Sequence, residues 1–232
     1  MTKQITLDDI VISITKKKIK NLHLKIYPPD GTVKISAPLW MNMDQINAFV
    51  LSKSDWIKQQ RTFFQEQRRE PSRAYLDQEN HLVWGNPYVL NVIETAHRPK
   101  VDMQDNHLFL HIPIGANEEK RAMILHAWYR DQLKQAIPPL IAKWEPCMNV
   151  KVEQFFIQRM KTRWGSCNPR SRNIRLNTEL AKKPFTCLEY VVIHEMVHLL
   201  EPSHNARFKS LMTEFMPQWR FHRGELNQSG LS

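Results

Sequence analysis

Apolar and polar residues alternate with a period of two through Ile10-Val11-Ile12-Ser13-Ile14, Leu22-His23-Leu24-Lys25-Ile26 and Val33-Lys34-Ile35. That is the pattern of strands with one buried face. A Pro28-Pro29-Asp30-Gly31 turn separates the last two, and Pro38 closes what reads as a small antiparallel sheet. From about Met43 to Arg69 the period changes: Ile46, Phe49, Val50, Trp56, Ile57 and Phe63 recur at helical spacing, which predicts one long amphipathic helix with a core-facing stripe. Further strands are expected at Leu82-Val83-Trp84, Tyr88 to Ile93 and Leu108 to Ile112, with turns at Gly85-Asn86-Pro87 and Gln104-Asp105-Asn106.

Beyond Pro113 and Gly115 the texture becomes helical. Asn117 followed by Glu118 and Glu119 makes a favourable helix start, and the helix is expected to run to about Ala136, where Pro138-Pro139 breaks or kinks it. Val152 to Met160 and Asn173 to Leu176 read as strands of a hairpin joined through Trp164 to Pro169. Pro184 suits the first turn of a helix that runs through the nearly all-apolar stretch Leu188 to Leu200 and stops near Glu201, before Pro202. Ser203 is then the expected N-cap of a last helix, His204 to Met216, with Phe208, Leu211, Met212 and Phe215 as its stripe. The fold class is α+β: a mixed N-terminal half with antiparallel strands, residues 1–113, and a C-terminal half, residues 114–232, whose core helix packs on the hairpin. No internal repeat or low-complexity linker is visible.

That core helix carries His194-Glu195-Met196-Val197-His198. Residues four apart share a helix face, so His194 and His198 can bind one metal ion together. Glu195 falls beside it, where a carboxylate can take a proton from a metal-bound water whose pKa zinc lowers to about 7. Polar groups in so apolar a helix are costly unless paired or metal-bound. A turn at Pro202-Ser203 can bring His204 back as a third ligand, leaving a fourth position open, as in catalytic zinc sites. The spacing from His198 to His204 matches metzincin proteases, but Glu201 stands where they have glycine, so the turn must differ and that clan is not assigned.

Composition sets bounds around this site. With 232 residues, 42% of them hydrophobic, the chain can bury a full core. No apolar run reaches the roughly 18 residues of a membrane span, and the N-terminal stretch lacks a signal-peptide core, so no membrane association is expected and the cytoplasm is the default. The three cysteines, Cys147, Cys167 and Cys187, lack Cys-x-x-Cys spacing and suggest neither disulfides nor a Cys-based zinc site. Net charge is +10, and nine Lys or Arg between Lys151 and Lys183 face only Glu153 and Glu179. A basic surface next to a metal would steer anionic ligands: nucleotides, nucleic acid or acidic peptides. Lys16-Lys17-Lys18 with Lys20 form a second cluster.

Lys161-Thr162-Arg163-Trp164-Gly165-Ser166-Cys167, Asn173-Ile174-Arg175-Leu176-Asn177, the stretch Tyr190 to Leu199 and Pro202-Ser203-His204 closely resemble the YgjP-like metallopeptidase family. Pro29-Asp30-Gly31, Ala37-Pro38 and Trp84-Gly85 look like that family's N-terminal half, so the resemblance covers about residues 10 to 226. It implies a zincin-like C-terminal domain with His194, His198 and His204 as ligands of Zn2+ or another divalent metal, and Glu195 as base. The leading reading is a zinc-dependent metallopeptidase. The family also includes a nucleoside triphosphate pyrophosphatase assignment with UTP as substrate, which is the alternative. A third reading is a basic nucleic-acid-binding protein with a structural metal. Arg163, Arg172 and Arg175 are the candidate substrate-binding cations. Tyr190, one turn before His194, can support a ligand or an oxyanion, or simply pack in the core. Cys167 reads as a packing residue and His222 as an outside candidate for a supporting contact.

Overall fold

The computed structural model describes residues 2–27, 31–69 and 75–228, with backbone alone for Thr2, 63–69 and Gln228. The chain divides into two compact units, residues 1–73 and 74–232. In the first, strands β1 (Thr2–Leu7), β2 (Ile10–Lys17), β3 (His23–Tyr27) and β4 (Thr32–Pro38) form one sheet in the order β1-β2-β4-β3. The period-two pattern holds: Ile10, Ile12 and Ile14 of β2 and Val33, Ile35 and Ala37 of β4 are buried. The sheet is mixed rather than antiparallel, because β3 turns back along the outer side of β4 and leaves β2 parallel to β4. Alternation reports which face is buried and is blind to strand direction. The expected turn at Pro28-Pro29-Asp30 and the side chain of Phe63 lie outside the described residues.

The expected long helix is two: α1 (Met43–Ser52) and α2 (Ser54–Arg69), with Lys53 as the C-cap of α1. Asn42 starts α1 with a capping box. Its side chain accepts from the Gln45 amide at 2.9 Å, and the Gln45 side chain accepts from the Asn42 amide at 3.1 Å. Ile46, Val50 and Ile57 bury against the apolar face of the sheet.

In the second unit, β5 (Asn80–Val83), β6 (Asn86–Thr95), β7 (Lys100–Gln104) and β8 (His107–Pro113) form a sheet of order β5-β6-β8-β7. A single helix, α3 (Glu118–Met148), follows with Asn117 as its N-cap, accepting from the Lys120 amide at 3.0 Å. Pro146 and the Pro138-Pro139 pair, at which a break or kink is expected, all sit inside it. An interior proline costs about 3 kcal/mol. The buried Ile137, Leu140 and Ile141 beside the first pair each contribute roughly 1.5–3 kcal/mol by leaving water, enough to hold the helix through them. Val83, Leu90, Leu108 and Ile112 share one core with Leu125, Tyr129 and Leu133 of α3. The change of texture at 113/114 is therefore a change of secondary structure within one core, and the compact units part at 73/74 instead.

A three-stranded sheet of order β10-β11-β9 comes next, from β9 (Gln154–Gln158), β10 (Gly165–Asn168) and β11 (Asn173–Asn177). The hairpin is β10 with β11, and β9, the strand expected to pair antiparallel with β11, instead runs parallel to it. After a 3-10 turn at Thr178–Lys182 come α4 (Phe185–Val197), α5 (Ala206–Phe215) and α6 (Trp219–Gln228). Helix α4 ends at Val197, one turn earlier than expected, and α5 is followed by the further helix α6. Among the described residues no helix is long and apolar enough to cross a membrane.

Candidate metal centre and active site

Helix α4 is buried along almost its whole length, and its start is fixed by the Trp84-Gly85 turn. Both residues have positive φ, +48° and +82°, which makes the two-residue connection between β5 and β6 a type I′ hairpin turn. A Cβ at position 85 would meet Pro184, the α4 N-cap, at 3.0 to 3.2 Å. Trp84 donates its amide to the Ala181 carbonyl at 2.9 Å and packs edge-on against Phe185. The second sheet thus reaches the helix that carries the motif.

At the other end of α4, His194, His198 and His204 converge. Each offers a ring nitrogen, and the three nitrogens lie within 4.8 Å of one another. Nε2 of His194 and Nε2 of His204 stand 3.0 Å apart. Around a tetrahedral ion with metal–nitrogen bonds of about 2.0–2.1 Å, nitrogens lie roughly 3.3 Å from one another, so the donor set fits a divalent cation such as zinc. His198 donates from Nδ1 to the Glu201 carbonyl at 3.1 Å, which fixes the tautomer and turns the Nε2 lone pair toward its neighbours. Phe208 of α5, almost fully buried, lies 4.6 to 4.9 Å from all three imidazole centroids and makes the apolar floor beneath them. Burial, with the neighbouring His198, His204 and Arg223 charges, pushes His194 down to about 3, so its ring is neutral at pH 7.

The turn that returns His204 is built around Glu201. Its carboxylate accepts from the Ser203 amide at 3.2 Å and the Ser203 hydroxyl at 2.9 Å, while its carbonyl takes His198. These contacts close the turn without glycine. Ser203 is thereby engaged within the turn, and Asn205 rather than Ser203 caps α5, accepting from the Phe208 amide at 3.0 Å.

Glu195 points into the same place from the first turn of the motif. It is 4% exposed, its Oε2 has no hydrogen-bond partner among the described residues, and burial pushes its carboxyl up to about 8 against the opposing charge of Arg163. Gly165 on β10 explains how it fits: a Cβ there would lie 2.5 Å from Oε1 and 2.8 Å from Cγ of Glu195. Asn177 holds the approach to β10. Fully buried, it donates from Nδ2 to the Met160 and Arg163 carbonyls at 2.8 Å each, and its own amide donates to the Trp164 carbonyl at 2.8 Å.

The three histidines and Glu195 line a cleft of 570 Å³ together with Arg163, Trp164, Tyr190 and Arg223. Arg163 and Tyr190, two of the candidate substrate contacts, thus both line the cleft. Tyr190 is buried, edge-on to His194, and burial pushes its hydroxyl up to about 12. Arg172 and Arg175 are not in the lining: Arg172 borders a separate depression beside Lys151 and Leu199, and the Arg175 guanidinium lies over the Phe156 ring. Cys167 lines the cleft, but burial and the Glu195 charge push its thiol up to about 12, which suits packing rather than nucleophilic attack. His222 is buried and contacts Glu225 Oε2 at 3.0 Å through Nδ1. Sequence reasoning missed Phe208 as the floor, Asn177 as the brace and Arg223 on the cleft wall. The last was legible in principle, since Trp219, His222 and Leu226 recur at helical spacing and mark α6.

No curated protein matches the chain. The family model described as YgjP-like, metallopeptidase domain, matches residues 20–229, which span both units and every residue of this cleft. The chain belongs to the YgjP-like metallopeptidase family.

Proposed function

We propose that the protein is a zinc-dependent peptidase in which His194, His198 and His204 hold the metal and Glu195 is the general base. The observation that carries this reading is the Glu195 carboxyl, buried without a partner for Oε2 beside three converging imidazoles in an open cleft. A purely structural metal has no need of such a group, and burying an unpaired carboxyl costs several kcal/mol by order of magnitude. The bound cation supplies Lewis-acid activation of water and of the carbonyl to be attacked. Glu195 takes the proton from the attacking water at Oε2 and returns it to the leaving nitrogen. Strand β10 lines the cleft and, among the described residues, pairs only with β11, so its outer edge can receive an extended peptide. Arg163 and Arg223 flank the cleft as candidate contacts for peptide carbonyls or acidic side chains.

The test offers the zinc-loaded protein unstructured peptides and nucleoside triphosphates side by side. Peptide cleavage is expected, and Glu195→Gln should lower it by about 10²–10⁴-fold with zinc content unchanged. His204→Ala should lose zinc. Pyrophosphate release from UTP without peptide cleavage overturns the peptidase reading, and undiminished turnover by Glu195→Gln overturns the mechanism.

A further inference from the structure

The first unit has a sheet face that no part of the proposed hydrolase uses. One face of β1–β4 is covered by α1 and α2; the other is open to water. Along the open face Gln4 of β1 pairs with Ser13 of β2, which sits beside Lys34 of β4, which pairs with Lys25 of β3. A second row sets Thr15 beside Ser36 and His23. Tyr27, 43% exposed, ends β3 with the Lys34 ammonium 5.3 Å from its ring centroid. Of the five strand lysines, Lys17, Lys25 and Lys34 fall on this face, while Lys3 and Lys16 pair with the buried Ile14 and Ala37 on the covered side; the four strands contain neither Asp nor Glu. Asp8, in the turn between β1 and β2, is paired with Lys58 of α2 at 2.6 Å.

Lysine on an edge strand is commonly a guard against sheet-to-sheet pairing, and that accounts for Lys25. It does not account for Lys34, which lies on a central strand. Nor does it account for a face that combines ammonium groups, hydroxyls, an amide, an imidazole, the exposed Val11 and an exposed phenol ring, with no carboxylate among its strand residues. Such a face complements a polyanion whose rings can stack on it. A duplex hides its base faces, whereas a single strand can splay them over a flat sheet, with phosphates on the lysines and hydroxyls and a base on Tyr27. We propose that the open face of the β1–β4 sheet binds single-stranded nucleic acid, with Lys25 and Lys34 on the phosphates and Tyr27 as a stacking platform. The proposal is independent of the hydrolase reading, since all its residues lie within residues 1–73.

The test is fluorescence anisotropy of the full-length protein with a labelled single strand of roughly 12 nucleotides, repeated over a range of salt concentrations. Binding should weaken with salt, and Lys25→Glu/Lys34→Glu should weaken it at least about tenfold while flattening the logarithmic salt slope by roughly 1.4, the share of two phosphate contacts. Tyr27→Ala should cost about fivefold or more with the slope unchanged, and Tyr27→Phe should restore binding. Circular dichroism and the unfolding midpoint establish that the variants fold. Glu195→Gln should bind as the parent protein does, which separates this result from the fate of the hydrolase reading. The inference is overturned if the double lysine variant binds within about twofold of the parent, or if duplex of the same length binds equally well. It is likewise overturned if Tyr27→Ala has no effect, or if phosphatidylserine vesicles bind and the oligonucleotide does not.

Discussion

Two four-stranded sheets in this chain share strand order and strand directions, β1-β2-β4-β3 and β5-β6-β8-β7, each with a parallel central pair flanked by antiparallel edges. Their exposed chemistry is opposite. On the second sheet Asp102 pairs with Lys100 at 2.6 Å and His111 at 3.1 Å, and His107 Nδ1 meets Asn91 Oδ1 at 2.7 Å, so polar groups satisfy one another across the strands. The first has no carboxylate with which to do this. The second also commits its first hairpin turn to the base of α4, where Gly85 abuts Pro184. The same topology therefore presents a self-neutralised support in one unit and a cationic face in the other. Architecture alone says nothing of which; the side chains decide.

This contrast can be broken in steps. The largest effect is expected at the site that the second unit supports: Gly165→Ala puts a methyl group onto the Glu195 side chain, and displacement of that carboxyl by about 1 Å should cost roughly a hundredfold in turnover. Zinc content should stay unchanged; unaltered turnover would show that Glu195 has room to spare. Gly85→Ala combines a left-handed φ with contact against Pro184, and should destabilise the second unit by roughly 2–4 kcal/mol. Hydrogen exchange should quicken in α4 and leave β1–β4 as they were. Equal loss in both sheets would deny that the supporting role belongs to the second alone.

A smaller effect follows from the buried pair in α4. In the unfolded chain Glu195 titrates near 4.5 and His194 near 6.5; in the folded, metal-free protein they move to about 8 and about 3. From pH 3 to 4.5 the unfolded chain alone holds the His194 proton, so stability rises with pH. Between 4.5 and 6.5 that gain is offset, because only the folded state still holds the Glu195 proton. Above 6.5 the Glu195 contribution acts alone, and stability should fall by about 2 kcal/mol up to pH 8. Glu195→Gln should lack this fall. Denaturant unfolding of chelator-stripped protein at the two ends of that window measures it, and parallel curves for parent and variant would place the carboxyl in a wetter setting.

Much of the site was legible because its signals are local. His194 and His198 sit at helical spacing, Pro202 marks the nearby turn, and the apolar run around them announces a buried helix. What stayed hidden depends on contacts between distant segments. The parallel pairing of β9 with β11 cannot be read from either strand, and β1 and β7 are edge strands without a full apolar alternation to reveal them. Asn177 looked like the end of a strand; its importance lies in two carbonyls fourteen and seventeen residues earlier. The prolines of α3 obey a local rule that long-range burial overrides.

The repeated strand order also bears on the sequence of events during synthesis. Each of the two sheets is drawn from one contiguous stretch, residues 2–38 and 80–113, so each can close soon after it leaves the ribosome. The candidate cleft is different: it needs Asn177 to brace residues 160–164, Gly165 to admit Glu195, and Arg223 on α6. Its walls are complete only when α6 has been made. During synthesis the β1–β4 sheet can therefore close well before the walls of the cleft are all present.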